Sequence, residues 1–190
     1  MGRTVPLVAL AAQVNSMIEQ LAENAKKTPS DPNHWDPPFC GDIDMCIKAD
    51  GTWWYQGSVI ARPALVKLFA GILRHENDQY FLVTPVEKVR IRVEDAPFLV
   101  VDADIEQPGT PAQRVHLRTL TEDCFALGND HPLKIVSGSK EVRPYVLVRD
   151  NLWALLSRAC YYRLASEVGP VPNSAGEFGL LSGGIWHKFL

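Results

Sequence analysis

The stretch Ile47-Lys48-Ala49-Asp50-Gly51-Thr52-Trp53-Trp54-Tyr55-Gln56-Gly57 (IKADGTWWYQG) decides how the first sheet of this chain is read. Asp50-Gly51 lies between two segments of strand character and has the sequence of a tight hairpin turn. Side chains alternate faces along a strand, so the adjacent Trp53 and Trp54 point opposite ways. With Asp50-Gly51 as the whole loop, Ala49 faces Thr52, Lys48 faces Trp53, Ile47 faces Trp54 and Cys46 faces Tyr55. Met45, Ile47 and Trp54 then share one face, and Asp44, Cys46, Lys48, Trp53 and Tyr55 the other. The expectation is that Trp54 enters the core and that Trp53 lies on a mixed aromatic and charged face.

Upstream, Thr28 to Pro38 carries Pro29, Pro32, Pro37 and Pro38, which excludes a helix or a central strand there. Before it, Leu7, Leu10, Val14, Met17 or Ile18, and Leu21 recur at helical spacing, with Gln13, Asn15, Glu19 and Gln20 between them. That pattern reads as an amphipathic helix packed on the protein rather than an export signal.

Downstream, Pro63 opens a helix with the stripe Leu65, Leu68, Phe69, Ile72 and Leu73, closing at His75 to Asp78. Tyr80 to Val83 is a short apolar strand, interrupted at Pro85. Val89, Ile91 and Val93 alternate with charged residues, as in a strand with one wet face. Phe98 to Ile105 with Val115 to Thr119, Leu133 to Val136 with Tyr145 to Val148, and Phe178 to Leu181 with Ile185 to Phe189 read as hairpins. A long helix is expected from Asn151 to Glu167.

The pattern V-[IL]-x-R-x-x-L-x-x-L-[FL] occurs at Val59 to Phe69 and again at Val146 to Leu156, a shift of 87 residues. The repeat suggests a duplicated module of strand hairpin and helix. The fold expected is α+β with antiparallel sheets, in two small domains. Residues 1–84 form an N-terminal α+β domain and residues 85–190 a β-rich domain capped by a helix.

Composition narrows the function. The 190 residues are 46% hydrophobic, enough for a substantial core, and the net charge is −3. An acidic balance argues against nucleic acid or an anionic membrane as the main partner. Cys40, Cys46, Cys124 and Cys160 show no metal-ligand spacing and read as reduced thiols of a cytoplasmic protein. No stretch is long enough to span a bilayer. Phosphate-loop, dinucleotide, nucleophile-elbow and zinc-protease motifs are all missing, so no cofactor is expected and catalysis has no positive signal.

Some residues still carry chemistry. Arg62 and Arg149 each stand just before an expected helix start, where unpaired N–H groups and the helix dipole favour a phosphate or carboxylate. Pairing with a local acid explains such arginines equally well. Asp42 with Asp44, and Asp102 with Asp104, share strand faces and have the oxygen chemistry for Mg²⁺ or Mn²⁺, though solvated strands show the same spacing. Thr84 to Lys88 and Glu94 to Phe98 place charged groups on bends, where binding residues concentrate.

Gly41-Asp42-Ile43-Asp44-Met45, Ile47-x-x-Asp50-Gly51-Thr52-Trp53 and Gly57-x-x-Ile60-x-Arg62 form one extended motif. Val83 to Ile91 with Glu94 to Phe98 forms a second. Together they resemble the signatures of the bacterial domain-of-unknown-function family 1285, from about Trp35 to the C-terminus. The resemblance implies a duplicated core, a C-terminal half similar to pleckstrin-homology folds, and a site at the seam between the halves. It also implies a nucleotide-like ligand and a role in signal transduction, and it names no reaction.

The leading expectation is a cytoplasmic ligand-binding or sensory protein that takes a small anionic, nucleotide-like molecule. Lys48, Trp53 and Tyr55 would supply stacking and a cation, Arg62 or Arg149 would take a phosphate, and Thr84, Glu87 and Lys88 would complete the site. A metal-dependent phosphoryl hydrolase using Asp42, Asp44 and Glu87 is one alternative, and a protein-interaction module is another.

Overall fold

Strand-forming, β-branched and aromatic runs dominate the chain, and the computed structural model follows them. It describes residues 34–137, 142–168 and 171–189. The expected N-terminal helix lies outside the described residues.

The first sheet uses β1 (Phe39–Ile47), β2 (Trp53–Tyr55), β3 (Ser58–Val59), β4 (Leu73–Glu76), β5 (Gln79–Val83) and β6 (Lys88–Val93), in the order β3-β2-β1-β6-β5-β4. Helix α1 (Pro63–Gly71) connects β3 to β4. The second sheet uses β7 (Phe98–Glu106), β8 (Arg114–Thr119), β9 (Cys124–Ala126), β10 (Leu133–Ser137), β11 (Val142–Arg149) and β12 (Leu152–Leu156), in the order β10-β11-β12-β7-β8-β9. All its pairs are antiparallel except β12 with β7. Helix α2 (Arg158–Glu167) follows β12, and β13 (Val171–Pro172), β14 (Phe178–Ser182) and β15 (Ile185–Lys188) make a third, antiparallel sheet. The chain is therefore a two-domain α+β protein built mostly of antiparallel strands.

The chain divides into two compact units, Met1–Asp44 with Ala64–Ile91, and Met45–Pro63 with Arg92–Leu190. In the smaller unit Phe69, Leu73, Leu82 and Val83 are fully buried. In the larger, alternate residues of β7, β8, β11 and β12 supply the core: Phe98, Val100, Leu117, Val146, Leu152 and Ala154. Ser182 ties the third sheet to the second, since its Oγ donates to the Leu127 carbonyl at 2.8 Å and accepts from the Val115 N–H at 3.0 Å. Helix α2 packs on β7 through Leu164 and Cys160, and burial pushes the Cys160 thiol up to about 11.

Three local expectations need correction. The first is the hairpin register. Met45 pairs with Tyr55, Cys46 with Trp54 and Ile47 with Trp53. The loop is longer than Asp50-Gly51, because the Lys48 N–H donates to Thr52 O and the Gly51 N–H to Lys48 O, both at 2.9 Å. A one-residue slip exchanges the faces. Trp53, 1% exposed, is therefore the core residue, while Trp54 is half-buried with its Nε1 donating to Thr52 Oγ1 at 2.9 Å. Gly51 makes this loop possible. Its φ is +80°, and a Cβ there would lie 3.0 Å from Leu99 Cβ and 3.2 Å from Leu120 Cδ2.

The second correction is the long helix. Leu152 to Leu156 is a strand in which Leu152, Ala154 and Leu156 are buried and Trp153 and Leu155 half-buried. A five-residue apolar run satisfies a period of two and a helical stripe alike, and here the open place beside β7 selects the strand. The echoed pattern thus spans a strand-to-helix joint at Arg62 and a strand-to-strand turn at Arg149. Third, Leu73 to Glu76 leaves the helix and pairs with β5, turning at Asn77 and Asp78, both with positive φ.

Trp53 and Trp54 test the register directly. Trp53→Ala is expected to cost about 3–5 kcal/mol in urea unfolding, and Trp54→Ala less than half as much. Equal losses, or a larger one at Trp54, would contradict the pairing.

His187 gives a second test. It is 6% exposed on β15, its Nε2 has no hydrogen-bond partner among the described residues, and burial holds its imidazole below the ordinary 6.5. The folded state thus resists a proton that the unfolded state accepts below about pH 6.5. Stability should be level above that pH and fall as pH drops from 6.5 toward the lowered folded value. Melting temperatures at pH 7.5 and 5.0 check this, and His187→Phe should show the smaller drop.

A candidate anion-binding cleft

The residues singled out in the sequence occupy defined places. Lys48 follows β1, and its Nζ lies 2.6 Å from Glu94 Oε1, while Glu94 Oε2 accepts from the Ala49 N–H at 3.1 Å. The pairing raises the Lys48 ammonium and holds the Glu94 carboxyl below its usual range. Trp53 is core, Tyr55 half-buried at the end of β2, and Arg62 exposed before Pro63. Arg149 Nη1 is 3.4 Å from Asp123 Oδ1, and its guanidinium lies 5.1 Å from the Phe98 ring centre. Asp123 is itself held by the Thr119 and Thr121 hydroxyls at 2.9 and 2.6 Å. These five candidates belong to the larger unit.

Thr84, Glu87 and Lys88 belong to the smaller unit. Thr84 is buried and closes a turn, its N–H donating to Glu87 O at 2.9 Å and its Oγ1 accepting from the Glu87 N–H at 3.2 Å. Glu87 is half-buried. Lys88 pairs with Glu76 at 3.0 Å, sits 5.0 Å from the Phe81 ring centre, and lines a pocket of about 330 Å³.

The acids considered for a metal are placed differently. Asp42 meets Arg90 through both oxygens, at 2.7 and 2.6 Å, which lowers the Asp42 carboxyl. Asp44 is exposed. Asp102 is shared by Arg118 and Arg163, at 2.8 and 2.7 Å. Among the described residues no three His, Cys, Asp or Glu side chains are grouped to hold a metal ion.

A cleft of about 820 Å³ lies within the larger unit. Of the eight residues expected to bind the ligand, from Lys48 to Arg149, none lines it, while Asp95 of the Glu94 to Phe98 bend does. One wall is the first turn of α2. Ser157 caps that helix from an extended conformation (φ −60°, ψ 150°), its Oγ accepting from the Cys160 N–H at 3.3 Å. The cap projects Arg158, Tyr161 and Tyr162 to the cleft. Tyr161 is anchored through its hydroxyl, which donates to Phe189 O at 3.1 Å, and Tyr162 is 67% exposed.

The opposite components are the start of β11, the Ala49-Asp50 loop and Asp95. Asp95 Oδ2 accepts from Arg143 Nη1 and Oδ1 from the Tyr145 hydroxyl, each at 2.7 Å. Burial and the Asp95 charge together raise the Tyr145 hydroxyl. Asp50 Oδ1 accepts from the Thr52 N–H and hydroxyl at 2.9 and 2.6 Å, which holds its carboxyl low. Two guanidiniums, two aromatic rings and a helix N-terminus thus meet in one cleft, and both acids in its lining already accept internal bonds. Such a set accommodates an anion with a flat ring attached.

Sequence reasoning noticed the Glu94-Asp95 corner and missed Arg143, Arg158, Tyr161 and Tyr162. Ser157-Arg158 looked like the middle of a long helix, so its start signal was hidden.

The fold and this cleft define a two-domain α+β protein without a catalytic signature in its sequence. The family models for the N-terminal and C-terminal domains of DUF1285, described as of unknown function, match residues 31–96 and 97–189. The chain belongs to the DUF1285 family. A crystal structure of a DUF1285 family protein from Silicibacter pomeroyi DSS-3 is 41% identical, covering 90% of this chain and 94% of that one with a TM-score of 0.78. A second, from Shewanella baltica OS155, is 34% identical over 64% of this chain and 89% of that one, with a TM-score of 0.51. No curated protein matches. Among the described residues no helix is long and apolar enough to cross a membrane.

Proposed function

We propose that this protein is a non-catalytic receptor for a small anionic ligand of the nucleotide class, and that the ligand sits in the cleft beside α2. The observation that carries the reading is the convergence of Arg158 and Tyr162, from the N-terminal half of α2, with Arg143 of β11 around one cavity of about 820 Å³. That volume falls within the roughly 300–1,000 Å³ common for small-molecule sites. Tyr162, a residue two-thirds exposed, suits stacking against a base, worth about 1–3 kcal/mol. The guanidiniums and the helix N-terminus suit a phosphate.

Lys48, Lys88 and Arg149 keep their intramolecular partners in this reading, and a sensory role would follow from ligand-dependent stability of the larger unit. A thermal-shift screen of mono-, di- and cyclic nucleotides tests it. A ligand at ~100 times its dissociation constant adds about 2.7 kcal/mol of stability. At least one nucleotide should raise the melting temperature of the wild type, with Arg158→Glu and Tyr162→Ala abolishing the rise. If no nucleotide moves the melting temperature, the reading fails.

A further inference from the structure

Among the described residues, four charged side chains line the cleft: Asp50, Asp95, Arg143 and Arg158. The arginines explain attraction to an anion. The two acids work against it, so their hydrogen bonding decides what else the ligand must carry. Asp95 is the simpler case. Both oxygens accept internal bonds, one from Arg143 and one from Tyr145, and the Asp95 side chain is only 15% exposed. Its role is to fix Arg143.

Asp50 is different. It is exposed at the tip of the β1–β2 loop, and both internal bonds fall on one atom, Oδ1. A carboxylate oxygen has two acceptor sites, so the Thr52 N–H and hydroxyl fill Oδ1, and Oδ2 of this cleft-lining residue retains acceptor capacity. The Asp50 position is also rigid. Gly51 beside it is packed against Leu99 and Leu120, and Glu94 holds the preceding Ala49 N–H. A fixed, ionised acceptor in a cleft with two arginines repels a bare anion and rewards an anion that brings its own hydrogen-bond donor.

Resting on the nucleotide reading of the cleft, we propose that Asp50 is its specificity-determining residue: Oδ2 accepts one neutral O–H or N–H donor of the bound nucleotide while the arginines take its phosphate. A site built to accept a donor discriminates against an analogue that lacks it, because the bound molecule displaces the water that hydrates this exposed acceptor and puts no donor in its place. A ribose hydroxyl and an exocyclic base amine are the two sources of such a donor. A single oxygen suits one donor, not the paired donors of a bidentate edge.

Asp50→Asn is the decisive variant. The amide oxygen of Asn continues to accept from Thr52, and its NH₂ replaces the acceptor Oδ2 with a donor, so the loop is preserved and only the contact to the ligand changes. Wild type and Asp50→Asn are titrated calorimetrically with AMP, GMP, their 2′-deoxy forms, IMP and inorganic phosphate, after a check that their unliganded melting temperatures agree.

The expected result is a loss of about tenfold or more in affinity for AMP or GMP in the variant, with inorganic phosphate bound as well as before or better. Wild type should prefer the ribonucleotide over its 2′-deoxy form if a sugar hydroxyl is the donor, or AMP and GMP over IMP if the amine is. Asp50→Asn should erase that preference. Wild-type binding of AMP or GMP that Asp50→Asn leaves unchanged overturns the role of Asp50 while the cleft reading stands. An equal loss for nucleotides and phosphate overturns it too, since a specific contact would not move both. Absence of any nucleotide binding in wild type removes the cleft reading, and this inference with it.

Discussion

Burial of Trp53 is the constraint on which the rest of the larger unit depends. Trp53 is among the largest fully buried side chains, and it can reach the core only if β2 pairs with β1 in the observed register. That register demands a loop longer than two residues, and the loop demands Gly51, whose positive φ and contact with Leu99 leave no room for a side chain. Removing an indole of this size from water is worth several times what an exposed ion pair contributes. Trp53 therefore sets the register, and the exposed pair of Lys48 with Glu94 only steadies it. Asp50 reaches the cleft wall as a consequence of the same packing.

The alternating strands were legible because one wet face writes itself into the sequence. β6, β7 and β8 all fall where the apolar alternation puts them, within a residue at most ends. Register was not legible at IKADGTWWYQG, because Asp-Gly is compatible with a two-residue turn and with a longer loop ending in a left-handed glycine. Two tryptophans side by side remove the usual asymmetry, since either face offers a large ring to the core. The run Leu152-Trp153-Ala154-Leu155-Leu156 defeated periodicity for a related reason. Five apolar residues hold too few turns to separate a strand from a helix, and the decision came from β7, more than fifty residues earlier in the chain.

The same error hid most of the cleft. A helix begun at Asn151 makes Ser157 an interior residue, whereas a helix begun at Arg158 makes it the cap. Only the second reading puts Arg158, Tyr161 and Tyr162 at the N-terminal end of the helix. Asp95 was visible beforehand as a charged residue on a corner, and the structure gives that corner a purpose in fixing Arg143 and Tyr145. Thr84 and Arg149 drew notice for equally sound chemical reasons, and each has an internal structural partner: a turn for Thr84 and Asp123 for Arg149. Polar groups at bends are enriched for turn closure as well as for binding, so residue type at a bend does not separate the two.

What does separate them is where the hydrogen-bonding capacity ends up after the fold has taken its share. Thr84 accepts from two backbone N–H groups of its own turn, and Asp42 gives both oxygens to Arg90. Asp95 is likewise consumed. Asp50 confines its internal bonds to one oxygen, and α2 presents a capped first turn with a cation and two rings beside it. A cleft that combines residual acceptor capacity with cations is poorly matched to a purely apolar molecule, which would strand the charges, and to inorganic anions, which Asp50 opposes. In the reading proposed above, a molecule with an anionic end and a donor-bearing ring end satisfies the arginines and the aspartate in a single pose.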